Sequence, residues 1–203
     1  MSQSSDKLWG GRFGKATEKL MEQFNASIGF DQRLYKADIE GSRVQAKGLE
    51  KIGVLTAEEL DQVLEGLDRV EGELDAGEVA LTDDLEDIHM AVEKRLTELI
   101  GPLGGKIHTG RSRNDQVALD ERLYLNVVIG ETVGLIDRLQ GVLLDSASRH
   151  LDVVMPGYTH LQQAQPIRFS HYAMALFWML DRDRGRFVDC GKRAQGMPLG
   201  SGA

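Results

Sequence analysis

The chain has 203 residues, of which 41% are hydrophobic and 28% are charged, so it is long enough and apolar enough to bury a sizeable core. Its net charge of −8, from 24 basic and 32 acidic residues, argues against nucleic acid or an anionic membrane surface as the main partner. Cys190 is the single cysteine, which excludes a disulfide framework and indicates a reducing compartment.

The apolar segments indicate a cytoplasmic, all-α protein. Residues 1–11 lack the apolar part of a secretory signal, and the longest apolar run, 172–180, is shorter than the ~18 residues of a membrane span. Elsewhere apolar residues recur at helical spacing. The clearest break is the Gly-Pro-Leu-Gly-Gly sequence at 101–105. We therefore predict a helical N-terminal domain over residues 1–110 and an incomplete long-helix bundle over residues 111–203.

The first thirty residues are predicted to hold an arm, a short helix and a loop. Adjacent glycines at 10 and 11 exclude a regular helix over residues 8–13, where the aromatic residues favour packing into a groove. A helix is expected near residues 17–24. In the loop that follows, Ser27 could donate to a ligand, although a loop serine alone carries little information. Asp31 is predicted to cap the next helix.

Three helices are predicted between residues 31 and 101. The first ends at Gly53, the second begins with a capping box at Thr56 and Glu59, and the third runs from Asp83 to Gly101. The second and third helices each have an apolar stripe, which predicts one buried face. The stripe of the second helix is Leu60, Val63, Leu64, Leu67, Val70 and Leu74, and that of the third is Leu85, Ile88, Val92, Leu96 and Leu99. His89 lies at the edge of the last stripe, where a hydrogen-bonded core histidine is a commoner interpretation than a catalytic one.

Residues 106–116, Lys-Ile-His-Thr-Gly-Arg-Ser-Arg-Asn-Asp-Gln, form the densest polar cluster in the chain. They are predicted to lie at a helix N-terminus, which offers unpaired N–H groups and a partial positive charge. Arg111 and Arg113 add guanidinium donors, so the segment suits a carboxylate or phosphate. The alternative is ordinary capping by Ser112 or Asn114 with two solvated arginines, and the residues leave both interpretations open.

Two long helices are predicted in the second half of the chain. The first spans residues 115–150 with an apolar seam from Leu125 to Val142, and at 1.5 Å per residue it is ~50 Å long. The second spans residues 167–193, and its segment 172–180 is apolar on every side, which predicts burial all round. Such helices need partners, so we predict a bundle completed by other chains or by further residues.

Between these helices, residues 155–166 are predicted to form a tight polar turn. Pro156 and Pro166 prevent either helix from running through, and Gly157 permits conformations closed to other residues. A phenol, a hydroxyl, an imidazole and three carboxamides lie between the prolines, more hydrogen-bonding groups than a connector needs. His160 is therefore a candidate catalytic residue, with a solvated loop histidine as the alternative.

Three segments together resemble the argininosuccinate lyase branch of the fumarase/aspartase lyase superfamily, in wording and in order. They are Trp-Gly-Gly-Arg-Phe at 9–13, Thr-Gly-Arg-Ser-Arg-Asn-Asp-Gln at 109–116 and Pro-Gly-Tyr-Thr-His-Leu-Gln at 156–162. The resemblance covers essentially the whole chain as an N-terminal portion. It implies a homotetrameric helical bundle whose active sites combine segments from three subunits. It also implies β-elimination of argininosuccinate to arginine and fumarate in arginine biosynthesis, with no metal and no organic cofactor.

The resemblance also implies roles for particular residues. His160 and Thr159 form the catalytic group, and His160 shares the proton transfers with a serine; which group moves which proton stays open. The implied substrate-binding residues are Ser27, Arg111, Ser112, Arg113, Asn114 and Gln162. His89 is a further possibility. The serine belongs to a Gly-Ser-Ser loop that does not occur in this sequence, so the chain is expected to be a fragment that is inactive alone.

Three alternatives remain at this point. One is another fumarate-releasing lyase of the same superfamily. The second is a non-catalytic structural protein of the lens-crystallin type, against which the intact polar motifs argue. The third is a helical interaction module whose polar turns serve only as caps. Substrate binding would separate the enzyme from the last two.

Overall fold

The computed structural model describes residues 19–82 and 85–198 and is mainly helical, as predicted. The arm at residues 8–13 and the predicted helix start at Asp83 lie outside the described residues. The α-helices are α1 Lys19–Asn25, α2 Ile28–Asp31, α3 Tyr35–Lys51, α4 Ala57–Asp75, α5 Ile88–Ile100, α6 Arg113–Arg149 and α7 Phe169–Ala194. Two 3₁₀ helices, Gln32–Leu34 and Gly101–His108, and two strands, β1 Val154–Thr159 and β2 Gln162–Arg168, complete the chain order.

The chain divides into two compact units. One takes the described residues through Glu121 together with Met197 and Pro198, and the other is Arg122–Gly196. The division falls inside α6; the boundary at Gly110 remains a proposal about folding domains. Within residues 19–82 and 85–198, no helix combines the length and the apolar character needed to cross a membrane.

The core of the first unit is built by α3, α4, α5 and the 3₁₀ helix Gly101–His108. Val63, Leu67 and Val70 of the predicted α4 stripe are buried, as are Ile88, Val92 and Leu96 of the α5 stripe. Two glycines allow close approach between these helices. A Cβ on Gly66 would lie 2.7 Å from Leu96 Cδ1, and one on Gly104 would lie 2.9 Å from the Thr97 backbone nitrogen.

The helix ends follow the predicted signals in most places. Thr56 and Glu59 form the capping box, and Gly53 (φ 79°) and Gly101 (φ 70°) end α3 and α5. Two predictions were wrong. Asp31 does not cap α3, because its carboxylate accepts hydrogen bonds from Ser27 and from the Ile88 backbone. Helix α5 begins at Ile88, where Asp87 accepts from the Met90 backbone nitrogen as the cap.

Helices α6 and α7 of the second unit run antiparallel. Gln140 Nε2 donates to the Phe177 carbonyl, Arg184 pairs with Asp137, and Gly191 lies against Ile129. The buried positions of α6 in this unit are Ile129, Ile136, Gln140 and Ala147. The predicted seam lies mostly elsewhere on the helix surface: Leu125, Leu135, Leu139 and Val142 are exposed. Tyr172, Trp178 and Met179 are also exposed, so the expected all-round burial of residues 172–180 does not occur within this chain.

The predicted polar turn is a two-stranded antiparallel hairpin. Strands β1 and β2 pair from Val154 with Arg168 to Thr159 with Gln162. Both prolines lie in this ribbon, opposite each other, and the register is irregular between Pro156 and Tyr158. A ribbon of two strands consists of edges, where a residue without a backbone N–H is tolerated. Gly157 lies at the irregularity, where a Cβ would approach the Gln165 carbonyl oxygen to 3.1 Å.

Candidate active-site residues

Ser27 lies in a loop that is joined to the loop before α5. Its backbone nitrogen and that of Ile28 donate to the Glu86 carbonyl. Its hydroxyl donates to Asp31 Oδ2 at 2.5 Å, while Asp31 Oδ1 accepts from the Ile88 nitrogen at 3.2 Å. The buried Asp31 carboxylate thus connects two segments far apart in sequence. The Ser27 proton is already engaged, so Ser27 offers an incoming ligand its oxygen lone pairs first.

The N-terminus of α6 carries both capping contacts and exposed polar groups. The Ser112 nitrogen donates to Asp115 Oδ2 at 2.9 Å, and Ser112 Oγ accepts from the Asn114 nitrogen at 3.3 Å. Capping, the simpler interpretation of this segment, is therefore real. It does not use the Asn114 side chain, and both Ser112 and Asn114 are exposed.

The two arginines of this segment differ in accessibility. The Arg111 side chain is 8% exposed, whereas that of Arg113 is 28% exposed. Arg113 Nη1 donates to Gln116 Oε1 at 2.7 Å, and longer contacts reach Glu93 at 3.4 Å and Asp87 at 3.6 Å. A guanidinium has five N–H donors, so Arg113 retains donors for an anion. Arg113 is thus the better placed of the two to meet a ligand.

A buried ion cluster lies beneath this helix end. His89 Nε2 is 2.9 Å from Asp120 Oδ2, and His89 Nδ1 is 3.7 Å from Asp87 Oδ1. Neither contact has hydrogen-bond alignment, so we describe both as ion pairs. Asp38, on α3, is buried beside them and accepts a 2.5 Å hydrogen bond from Gln116 Nε2. His89 is therefore a core histidine, the interpretation favoured by its place in the α5 stripe.

The carboxylates around His89 decide its charge. Burial by itself lowers the pKa of His89, but Asp120, Asp87 and Asp38 outweigh that effect and raise the pKa to about 9. His89 is therefore an imidazolium at neutral pH. Burial also raises the pKa of Asp38; the charge of His89 opposes this rise and the charge of Asp120 adds to it. Opposite charges thus stabilise each other in a site that would otherwise disfavour both.

Among the described residues, three members of this cluster could offer ligand atoms to one metal ion. The atoms of Asp38, His89 and Asp120 lie within 4.8 Å of one another. A metal-bound imidazole must give up the proton on its ligating nitrogen, whereas these carboxylates favour the imidazolium. A cavity of about 10 Å³, lined in part by Asp38, Ser42 and His89, is close to the smallest volume that holds a water molecule. We therefore interpret the group as an ion cluster.

The hairpin carries the other predicted site residues. Thr159 and Gln162 are opposite each other at its end, and His160 and Leu161 form the two-residue loop between them. Both loop residues have positive φ, 51° and 61°, as in a type I′ turn. Non-glycine residues in this conformation carry strain, which is commonest at functional sites. The backbone thus holds the His160 imidazole out at the tip, where His160, Thr159 and Gln162 are all exposed.

Known proteins identify the family. A family profile described as "Lyase" matches residues 11–203. The chain belongs to this lyase family. Relatives named argininosuccinate lyase are 55% identical over 199 residues in Heliobacterium mobile and 53% identical over 200 residues in Thioalkalivibrio sulfidiphilus. Each match covers 98% of this chain, and the chain spans about 43% of the length of either relative. The resemblance noted in the sequence motifs is confirmed.

Solved structures show the same lyase fold. An EDDS lyase in complex with formate superimposes with a TM-score of 0.70 at 28% identity, covering 92% of this chain and 37% of that one. A fumarate lyase:delta crystallin from Brucella melitensis has a TM-score of 0.71 at 16% identity, covering 91% of this chain and 48% of that one, which supports the fold alone. The prediction of a helical bundle of this superfamily is confirmed.

The structure places the candidate residues of the lyase chain in two groups. Ser27, His89, Arg111, Ser112, Arg113 and Asn114 belong to the first unit, and Thr159, His160 and Gln162 belong to the second. Asp31, Asp38, Asp87 and Asp120, whose carboxylates connect the first group, were not predicted as site residues. Their one sequence signal was an acidic residue beside apolar helix positions, as at Asp38 before Ile39.

Proposed function

We propose that this chain forms part of an argininosuccinate lyase, which cleaves argininosuccinate to arginine and fumarate. The observation that carries the proposal is the 53–55% identity to relatives of that name, over 98% of the chain. That alignment includes both polar segments, 109–116 and 156–166. The geometry adds exposed donors at the N-terminus of α6 and an exposed imidazole at the hairpin tip.

The reaction requires three kinds of group. A base removes a weakly acidic Cβ proton next to a carboxylate, and the Cβ–H electron pair becomes the second bond of the fumarate C=C. The C–N electron pair leaves on the guanidino nitrogen, which an acid protonates. A carboxylate clamp holds the succinyl part and stabilises the negative charge that develops beside it. Neither a redox change nor an external co-reactant enters this balance.

The first unit supplies donors suited to the clamp. Arg113 is a partly exposed guanidinium at the first residue of α6, where the helix dipole also favours an anion. The Asn114 amide and the Ser112 hydroxyl lie beside it in sequence, and both are exposed. Ser27 donates its hydroxyl proton to Asp31, so it is proposed to bind the substrate by accepting a hydrogen bond from one of its N–H groups. Arg111 is less accessible, so it is proposed to attract the substrate by its positive charge rather than by direct contact.

The hairpin supplies proton-transfer chemistry. His160 exchanges a proton with the substrate or with the serine partner, while Thr159 and Gln162 donate hydrogen bonds that orient the substrate. We assign the serine to a Gly-Ser-Ser loop that does not occur among the 203 residues. Either His160 or the serine can be the base in this assignment, and the other group is then the acid. The chain alone is therefore proposed to lack one of the two proton-transfer groups.

We further propose a homotetramer whose active site combines residues 109–116 and 156–166 from different subunits. The support is the resemblance of these two segments to argininosuccinate lyase motifs, which implies active sites that combine segments from three subunits. The protein is proposed to act in the cytoplasm, consistent with its single cysteine. Its proposed place in arginine biosynthesis follows from the resemblance to argininosuccinate lyases. The folding domains are proposed to be 1–110 and 111–203.

The test uses a completed protein, in which this chain is joined at Ala203 to the part of the Heliobacterium mobile relative that follows the matched region. Fumarate release from argininosuccinate is followed by ultraviolet absorbance. We expect turnover by the completed protein and none by the chain alone. Turnover of other N-substituted aspartates, without turnover of argininosuccinate, would overturn the substrate assignment.

A second candidate is another fumarate-releasing lyase of the same superfamily. It is favoured by one observation, the 27–28% identity to EDDS lyase structures, one of them holding fumarate. The exposed donors of α6 would suit any substrate with a succinyl group. The same assay separates the two candidates. Both enzymes release fumarate, but they release it from different substrates, so the substrate that is turned over identifies the enzyme. A crystallin-like structural role predicts no turnover of any such substrate.

A further inference from the structure

We propose that Gln116 and Asp38 are positioning residues that hold the Arg113 guanidinium in place to bind a substrate carboxylate. This inference rests on the proposed function, because it takes Arg113 as the carboxylate-binding group. Its subject is a relay of three side chains, Asp38–Gln116–Arg113, which lies in the first unit. Gln116 and Asp38 were not among the predicted site residues.

The relay consists of two short hydrogen bonds. Gln116 Nε2 donates to Asp38 Oδ1 at 2.5 Å, and Gln116 Oε1 accepts from Arg113 Nη1 at 2.7 Å. The Gln116 side chain is buried, with 4% exposure. A buried amide whose two ends are both satisfied is held in one position, because any rotation leaves a polar atom without a partner.

The chemistry of the end groups fixes which way the amide points. A carboxylate only accepts hydrogen bonds, and a guanidinium only donates them. A carboxamide between the two therefore has one satisfied orientation, with the NH₂ group toward Asp38 and the oxygen toward Arg113. Asp38, a buried carboxylate on α3, thus fixes the orientation of the Gln116 amide. The amide oxygen is thereby held as an acceptor for Arg113 at the start of α6.

The remaining contacts of Arg113 are looser. Its ion pairs with Glu93 and Asp87 measure 3.4 and 3.6 Å, so the bond to Gln116 is its closest polar contact in the described chain. Long ion pairs constrain direction weakly, whereas one short hydrogen bond fixes one edge of the planar guanidinium. The other edge, Nη2 and Nε, makes only these long contacts with Glu93 and Asp87, so a substrate carboxylate can replace them with a paired contact.

The buried ion cluster anchors the far end of the relay. Asp38 lies on α3, its side chain is fully buried, and the imidazolium of His89 lies in the same cluster. His89 is itself paired with Asp120, so Asp38 Oδ1 is left to accept from Gln116. The relay therefore ends on a fully buried carboxyl group beside an imidazolium rather than on a mobile surface group.

The main test compares Gln116→Met with Gln116→Glu in the completed protein. The methionine variant keeps the length of the side chain and removes the acceptor; the glutamate variant keeps an acceptor for Arg113. We expect KM for argininosuccinate to rise about 10- to 100-fold in Gln116→Met, as for loss of a hydrogen bond to a charged group, with kcat changed less. Gln116→Glu should restore part of this loss, because it keeps the acceptor for Arg113 but loses the donor to Asp38 and places two carboxyl groups together. Asp38→Asn, which can donate or accept, should raise KM by a smaller factor.

Gln140→Met is the matched control, since Gln140 lies on the same helix and is 6% exposed but bonds to the Phe177 carbonyl. Gln140→Met also loses a hydrogen bond, but that bond does not reach Arg113. We therefore expect KM to stay within about twofold of the unchanged protein, well below the rise expected for Gln116→Met. The thermal midpoint, followed by circular dichroism, shows whether Gln116→Met acts by unfolding the protein. A purely structural role would lower that midpoint without a selective change in KM and without rescue by glutamate.

A second readout does not depend on activity. The rate at which phenylglyoxal modifies Arg113, measured by peptide mass spectrometry with Arg111 as internal reference, should rise severalfold in Gln116→Met and stay unchanged in Gln140→Met. No turnover of argininosuccinate by the completed wild-type protein would overturn the proposed function and leave this readout to decide the relay. Unchanged KM, or an unchanged modification rate at Arg113, in Gln116→Met would overturn the relay.

Discussion

His160 combines a chemical and a backbone requirement in one residue. Its φ of 51° belongs to the left-handed region, which asparagine tolerates better than other non-glycine residues do. His160→Asn in the completed protein therefore keeps the turn and a donor but removes proton transfer near neutral pH. We expect turnover to fall about 10²- to 10⁴-fold, the usual contribution of a general acid or base, with substrate binding roughly kept. Steady-state kinetics test this, and near-normal turnover would reduce His160 to an orienting role.

His89 predicts a pH dependence of stability. The pKa of His89 is raised from 6.5 to about 9 on folding, so its contribution is fully present below pH 6.5 and is lost as the pH rises through about 9. The pKa of Asp38 is raised as well, and this shift also makes the folded chain less stable as pH rises, within a lower window. We expect the free energy of unfolding to fall between about pH 7 and 10, by up to roughly 3 kcal/mol from His89.

Urea unfolding of the chain at several pH values measures this fall. His89→Gln should flatten the profile, and the difference between the two profiles removes the titration of exposed lysines and tyrosines. Should that variant fail to fold, the titration of the His89 ring by nuclear magnetic resonance gives the pKa directly. A ring pKa at or below 6.5 would contradict the prediction.

The candidate site was predictable where chemistry is local in sequence. Arg113 and His160 were found because each stands in a short polar segment bounded by glycine or proline. Asp38 and Asp120 were missed, because their importance comes from partners on other helices. Asp38 meets Gln116, 78 positions away, and Asp120 meets His89. A single sequence carries no record of such pairings, and a lone aspartate on a helix usually indicates a solvated face.

The 3₁₀ helix Gly101–His108 packs unusually closely on α5, and Gly104 is the point of contact. A Cβ there would lie 2.8 to 2.9 Å from Thr97 Oγ1, Cα and N, where the backbone cannot move aside without cost. We expect Gly104→Ala to lower the free energy of unfolding by about 2 kcal/mol or more. Gly105→Ala is the control: its Cβ meets nothing within 4 Å, so its effect should stay within about 0.5 kcal/mol. Equal urea midpoints for the two variants would contradict this packing account.

Helices α4 to α7 were predictable, whereas the hairpin was not. The helices carry apolar stripes and local end signals, so three- and four-residue spacing identifies them. Their ends agree to within about two residues except at the start of α5, where Asp87 provides the cap. The hairpin has two prolines and mostly exposed side chains, and its register breaks at Gly157. Strand prediction relies on alternating apolar and polar residues, and in this ribbon exposure alternates only over the first five positions of β1. Its strands form through backbone pairing across a two-residue turn.

Apolar surface in the second unit points to association. Leu125, Leu135, Leu139 and Val142 of α6 are exposed, as are Tyr172, Trp178 and Met179 of α7. Covering such surface gains roughly 25 cal/mol per Å². We expect the purified chain to be helical, to self-associate and to release no fumarate. Light scattering, circular dichroism and the absorbance assay measure these three properties. A monomer at high concentration, or fumarate release abolished by His160→Asn, would contradict the expectation.

The order of the first unit along the chain has a consequence for its synthesis. Neighbouring helices make most of its contacts, α3 with α4, α4 with α5 and α5 with the 3₁₀ helix, so its core can form as the chain emerges from the ribosome. The pairings of Asp38 with Gln116 and of His89 with Asp120 close last, because they wait for the start of α6. What emerges afterwards includes the exposed apolar residues of α6 and α7, which await a partner. The nascent chain therefore passes from a rapid intramolecular step to one whose rate depends on the concentration of its partners.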